Sequence, residues 1–127
     1  MKIAAVVARI LMGLVFFIFG LNGFLQFIPV KSMPTGLAGE FVTVLMQSHW
    51  VWVVSAFQLA GGILLLVNRY VPLALALLAP VIVNILTYHA LLQHSGAQPG
   101  VLVTICWAIL FYRYRENFSG VFVSKAN

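Results

Sequence analysis

Asn22, Gln58, Asn84, Tyr88 and His89 stand inside stretches built otherwise mostly of Leu, Val, Ile, Ala and Phe. An amide side chain donates and accepts hydrogen bonds, a phenol does the same, and an imidazole can hold a carbonyl, relay a proton or ligate a metal. Surrounded by apolar solvent, each such group must find a partner or face a cavity. Gln58 and Asn84 therefore have two readings: an interhelical hydrogen bond that holds helices together, or a contact to a ligand or ion. His89 has three: a hydrogen-bonded interfacial histidine, a proton or quinone ligand, and a metal ligand. The spacing argues against the last, because His49 and His94 stand in no patterned relation to His89. No metal site is expected.

The elements that carry these residues are membrane-spanning in character. The run from Val71 to Leu92 holds no Asp, Glu, Lys or Arg, and no formal charge occurs between Arg69 and Arg113. At about 1.5 Å per residue that run reaches roughly 33 Å as a helix, enough to cross the ~30 Å hydrocarbon core of a bilayer. The composition agrees: the chain is 63% hydrophobic and 7% charged, with a mean hydropathy of +1.08. Soluble domains carry about 25% charged residues. The formal charge of +5 is dispersed over Lys2, Arg9, Lys31, Arg69, Arg113, Arg115 and Lys125, which reads as topology signals at span ends. The expected partner is the lipid bilayer, and nucleic acid is not.

Four hydrophobic segments emerge, about 4–28, 50–67, 72–92 and 100–112. The first begins close behind Lys2 but lacks a small-residue cleavage site, so it reads as a retained span. The fourth is shortest, with Tyr112, Tyr114, Arg113 and Arg115 able to anchor it at the interface. Asn68 suits a helix end and Pro72 a first helical turn, so spans two and three should form a hairpin. Between spans one and two, Leu37, Phe41, Val44, Leu45 and Ser48 recur at helical spacing after Pro29, Pro34 and Gly36. The expected fold is all-α, a four-helix transmembrane bundle with one short amphipathic interfacial helix between spans one and two. The whole chain, 1–127, reads as one domain. Lys2, Arg9, Arg69, Arg113, Arg115 and Lys125 would share one side and Lys31 the other, which places both termini in the cytoplasm.

Counting inward from the outer ends, Asn22 lies roughly 9 Å deep and Gln58 and Asn84 roughly 12 Å, with Gln26 and His89 at roughly 3 to 5 Å. Polar residues of three helices thus gather in the outer half. Faces are less favourable: Asn84 and Tyr88 lie about 40° apart, whereas His89 is about 140° from Asn84. His89 and Asn84 should not both point squarely at one ligand. Ser55, Gln58, Gly61 and Gly62 share a face on which another helix can pack closely.

Arg9 is close enough to the cytoplasmic face to snorkel, either as an interface anchor or as the counter-charge of an anionic headgroup or substrate. Gly13 and Gly20, with Gly23 beyond, permit close approach of a neighbouring helix or a second subunit, as do Gly61 and Gly62. A homo-oligomer through these faces is one expectation. Glu40 and Glu116 are the only acidic residues, and neither falls within a span. A proton-coupled exporter needs a carboxylate inside the membrane, so that class is disfavoured. The lone Cys106 excludes an internal disulfide and a CxxC pair, and reads as a small apolar filler. Trp107 reads as packing.

Ala8-Arg9-Ile10-Leu11-Met12-Gly13-Leu14 runs on to Phe19-Gly20-Leu21-Asn22-Gly23-Phe24, and Gly61-Gly62-Ile63-Leu64-Leu65-Leu66 follows in the second span. Arg69-Tyr70-Val71-Pro72-Leu73-Ala74-Leu75 continues to Leu78-Ala79-Pro80-Val81-Ile82-Val83-Asn84-Ile85. With these strings the chain resembles the DoxX family of small bacterial inner-membrane proteins. That resemblance implies a four-helix membrane bundle associated with redox metabolism. Related members are similar to the small membrane subunit of thiosulfate:quinone oxidoreductase, and others are linked to oxidative-stress complexes with soluble sulfur or superoxide enzymes. A thiol-oxidising branch would need paired cysteines, from which Cys106 alone departs. The leading expectation is a non-catalytic membrane subunit or anchor of a quinone-linked or oxidative-stress-linked redox system, with a soluble redox enzyme as partner. No cofactor is encoded, so a bound quinone or lipid would be supplied from outside. The alternatives are a structural or assembly scaffold without ligand, and a small-solute transporter.

Overall fold

In the computed structural model, which describes residues 2–27 and 34–125, the apolar runs fold as helices that stop at the expected breakers. They are α1 (Lys2–Leu25), α2 (Gly36–Gln47), α3 (Trp50–Leu66), α4 (Val71–Leu91) and α5 (Gln98–Arg113), followed by a 3-10 helix over Arg115–Phe122. The described residues contain no strand, and the chain is all-α as expected. The four apolar segments correspond to α1, α3, α4 and α5, and the amphipathic segment to α2. Lys31, the one cation expected on the outer face, and Ile28, the expected end of the first segment, lie outside the described residues.

Two helices, α1 and α4, are each long and apolar enough to cross a membrane. A third crossing arises if α2 and α3, bent by 82° at their junction, are taken as one broken span. The 16 residues of α5 reach only about 24 Å, short of a ~30 Å core.

Helix α1 packs against α3 and α5, and α4 packs against the same two, while α2 rests on α3. Met12 and Phe16 from α1, Leu65 from α3, Leu75 and Leu78 from α4, and Val103 and Leu110 from α5 fill the buried centre. The opposite faces are also apolar: Val7, Leu14 and Ile18, Val53 and Phe57, Leu73 and Val83, and Val101 and Ile105 are all exposed. A soluble protein rarely displays so continuous an apolar exterior, whereas in a bilayer it costs nothing. Cys106 is buried among the core residues.

Of the two occupants the sequence allows for the glycine faces, the structure seats a neighbouring helix of the same chain. A Cβ on Gly20 would stand 2.7 Å from the Leu59 nitrogen, and one on Gly62 would stand 2.7 Å from the Phe17 nitrogen. Gly13, Gly20, Gly61 and Gly62 are all buried inside this one chain. The backbones of α1 and α3 approach as closely as small residues permit.

The turn from α3 to α4 forms as expected. Asn68 takes a left-handed conformation at φ 58°, Tyr70 does so at φ 54°, and Pro72 sits in the first turn of α4. Pro80 then removes one backbone donor from the middle of α4, leaving the carbonyl four residues earlier without its helical partner. In the same turn, the Trp107 indole of α5 donates to the Leu75 carbonyl at 2.9 Å while stacking on Phe111, centroids 5.1 Å apart. Trp107→Phe keeps the stack and deletes the donor. It should cost about 1 kcal/mol, read as a lower melting temperature in detergent; an unchanged melt would assign Trp107 to packing alone.

Candidate functional site

The bend between α2 and α3 makes a cleft. His49 supplies the reversal at φ 63°, its ring stacked on Trp52 with centroids 4.4 Å apart, and the Trp50 nitrogen donates to Ser48 Oγ at 3.2 Å. This folds α2 over the N-terminal part of α3 and the C-terminal part of α4. Between the three helices lies a space of about 480 Å³. Phe41, Val42 and Leu45 line it from α2, Trp50, Val54 and Gln58 from α3, and Val81, Asn84, Ile85, Tyr88 and His89 from α4. Its volume falls within the range of pockets that hold drug-sized ligands, ≈ 300–1,000 Å³, and most of its walls are apolar.

The polar groups in the cleft carry hydrogen-bonding capacity that the chain leaves unused. Among the described residues, the side chains of Gln58, Asn84 and Tyr88 make no hydrogen bond. His89 is different: Nδ1 lies 3.0 Å from the Gln93 carbonyl oxygen. A carbonyl only accepts, so Nδ1 carries the hydrogen and Nε2 is left as an acceptor in the neutral ring. The His89 ring meets Tyr88 edge-on, centroids 5.1 Å apart at 81°, and Tyr88 contacts Phe41 of α2 at 5.6 Å. The cleft therefore offers amide and phenol donors beside an imidazole acceptor, which suits a ligand whose polar end carries carbonyl oxygens, hydroxyl groups or both in turn.

Behind it lies a second space of about 310 Å³, lined by Phe16 and Phe19 of α1 and Pro99, Gly100 and Val103 of α5. Gln58, Ile85 and His89 line both spaces and form the partition between them.

Four of the five outer-half residues thus come together, and Asn22 does not. Helix α1 packs on α3 and α5, so Asn22 shares the depth of Gln58 without sharing its cleft. His89 and Asn84 line the same space despite the angle between them on α4. The physical reason is α2: a helix laid across the end of α4 encloses more than one of its faces. Sequence reasoning missed Trp50 and Val54, and the Ser48-His49 break with an aromatic residue after it was the available signal. Among the described residues, no three of the His, Cys, Asp and Glu side chains lie close enough to hold a metal ion.

Arg9 belongs to the other end of the molecule. Its Nη1 donates to the carbonyl of Leu65, which also accepts from the Asn68 nitrogen at 3.2 Å, and, at 3.4 Å, to that of Leu66, so the guanidinium ties α1 to the carbonyl end of α3. A cation at a helix C-terminus is also favoured by the helix dipole. Lys2, Asn68, Arg113 and Tyr114 surround it.

An all-helical fold with an apolar exterior and a lateral cleft of this kind defines a small helical membrane protein. The chain belongs to the DoxX family, whose sequence profile matches residues 4–90, from the start of α1 to the last turn of α4. Every residue lining the cleft lies in that matched stretch. No curated protein and no solved structure gives a significant match.

Proposed function

We propose that this protein is a multi-pass component of a bacterial inner membrane, with α1, α3, α4 and α5 as its four crossings and both termini in the cytoplasm. It serves a redox system by holding a quinone-type or similarly amphiphilic molecule in the cleft under α2. The observation that carries this reading is the unused capacity of Gln58, Asn84 and Tyr88 inside a largely apolar cleft. Polar groups in a membrane are expensive unless partnered, and an interhelical bond is the partner that the side chains of Gln58 and Asn84 lack among the described residues. The gathering of Lys2, Arg9 and Arg113 at the end opposite the cleft supports a cytoplasmic face there.

Gln58, Asn84 and Tyr88 would donate to carbonyl oxygens of the oxidised head group, and His89 Nε2 would accept from a hydroxyl of its reduced, quinol form. Phe41, Leu45, Trp50 and Val54 would exclude water around its apolar body. When bound, a quinone supplies two-electron carrier chemistry. A soluble redox enzyme docked at the membrane would be the other party in the electron exchange, and the chain itself would position the carrier.

Trp50 makes the proposal measurable, because a quinone beside it should quench its fluorescence. In lipid nanodiscs a short-chain quinone should quench saturably, and Trp50→Phe should remove the saturable component. Quenching that rises linearly with quinone and ignores the Trp50 substitution would mean partition into lipid without a site.

A further inference from the structure

The end of the molecule opposite the cleft carries a second arrangement. Lys2 at the start of α1, Arg9 one to two turns later and Arg113 at the end of α5 converge with Asn68 and Tyr114 on a hollow of about 180 Å³. No acidic side chain lines it, and the sequence has only Glu40 and Glu116 to offer. Among the described residues neither of these pairs with any of the three cations. Three like charges are thus held round one space without a counter-charge, an arrangement that costs free energy unless an anion enters.

The donors suit a tetrahedral oxyanion. Arg9 uses Nη1 on the α3 carbonyls and keeps Nη2 and Nε, which fixes the guanidinium in place without exhausting its five hydrogens. Arg113 lies with Cζ 5.6 Å from the centre of the Tyr114 ring, so its position too is constrained. Asn68 sits in the tight turn after α3 with its amide unpaired among the described residues. At about 180 Å³ the hollow is smaller than drug-sized ligand pockets, ≈ 300 Å³ and above, which admits a phosphate group and excludes a quinone or nucleotide body.

We infer that Lys2, Arg9, Arg113 and Asn68 form a phosphate-binding site at the end of the protein opposite the cleft. The phosphate comes either from an anionic phospholipid or from a free phosphate in solution. The site is independent of what the cleft under α2 holds.

Native mass spectrometry of the full chain distinguishes the two sources. Released from nanodiscs of mixed phosphatidylglycerol and phosphatidylcholine, the protein should retain one phosphatidylglycerol if the source is lipid. In detergent without lipid, inorganic phosphate should bind with one-to-one stoichiometry if the source is soluble. In either arm Lys2→Gln and Arg113→Gln should each weaken binding about tenfold, since each removes one charge-assisted contact. These two substitutions spare the Arg9 bonds to α3, so the fold survives; Arg9→Gln is expected to weaken binding and stability together. Retention of neither ligand, or binding indifferent to Lys2→Gln and Arg113→Gln, would overturn the site.

Discussion

Gly20→Ala should destabilise the protein more than any single change on its apolar exterior. The added methyl would sit 2.7 Å from the Leu59 nitrogen and 3.0 Å from its Cα, atoms of a helical backbone that cannot swing aside as a side chain can. Relief requires α1 and α3 to separate, and that contact is the most extensive between any two helices of the chain. Overpacking of this kind costs about 1–3 kcal/mol and occasionally more, or roughly 10 °C in melting temperature at the upper end. Gly62→Val should be worse, because the Phe17 nitrogen, the Gly13 carbonyl oxygen and the Phe16 carbonyl carbon all lie within 3.1 Å of the position its Cβ would occupy. Exposed Val7→Ala serves as the reference. If Gly20→Ala melts with that reference in detergent, the close approach of α1 and α3 is not present in the membrane-extracted protein.

Replacing Gln58 and Asn84 together by leucine should have the opposite signature, a folded protein that has lost its ligand. Neither amide bonds a described protein group, so exchanging both for apolar side chains of similar volume removes no internal hydrogen bond. Stability should stay level or rise, since replacing uncompensated polar groups in an apolar setting is neutral to favourable. Each lost hydrogen bond to the ligand is worth about 0.5–1.5 kcal/mol, so the pair should weaken quinone binding by roughly ten- to a hundredfold. A scaffold held by these amides makes the reverse forecast. If the double variant melts well below the parent and still quenches Trp50 saturably with quinone, Gln58 and Asn84 are structural.

Much of this was legible in the residues themselves. The helix ends follow from breakers whose chemistry is local: Asn68 and Pro72 at the hairpin, and Pro34 and Gly36 ahead of α2. The depth shared by Gln58 and Asn84 is a count along two antiparallel helices, and both line the cleft. Depth alone misplaced Asn22, because which helix neighbours which is a packing outcome that no single helix encodes. The angle between Asn84 and His89 misled for a related reason. Helical-wheel geometry treats α4 as if it met one flat partner, whereas α2 folds across its end. Amphipathic spacing identified α2 as a non-spanning candidate, yet its apolar arc divides two ways: Val42 and Leu45 face the cleft, while Leu37 and Val44 are exposed. The convergence of Lys2, Arg9 and Arg113 comes from three distant stretches of chain. Only the packed ends of α1, α3 and α5 reveal it.

The most direct test is a map of the protein determined in lipid from its native membrane. It should contain an elongated molecule in the cleft between α2, α3 and α4, its polar end about 3 Å from the amides of Gln58 and Asn84 and its apolar body along Trp50 and Val54. A cleft filled by acyl chains with no polar end at those amides, or closed by a direct bond between Gln58 and Asn84, would contradict a ligand site there.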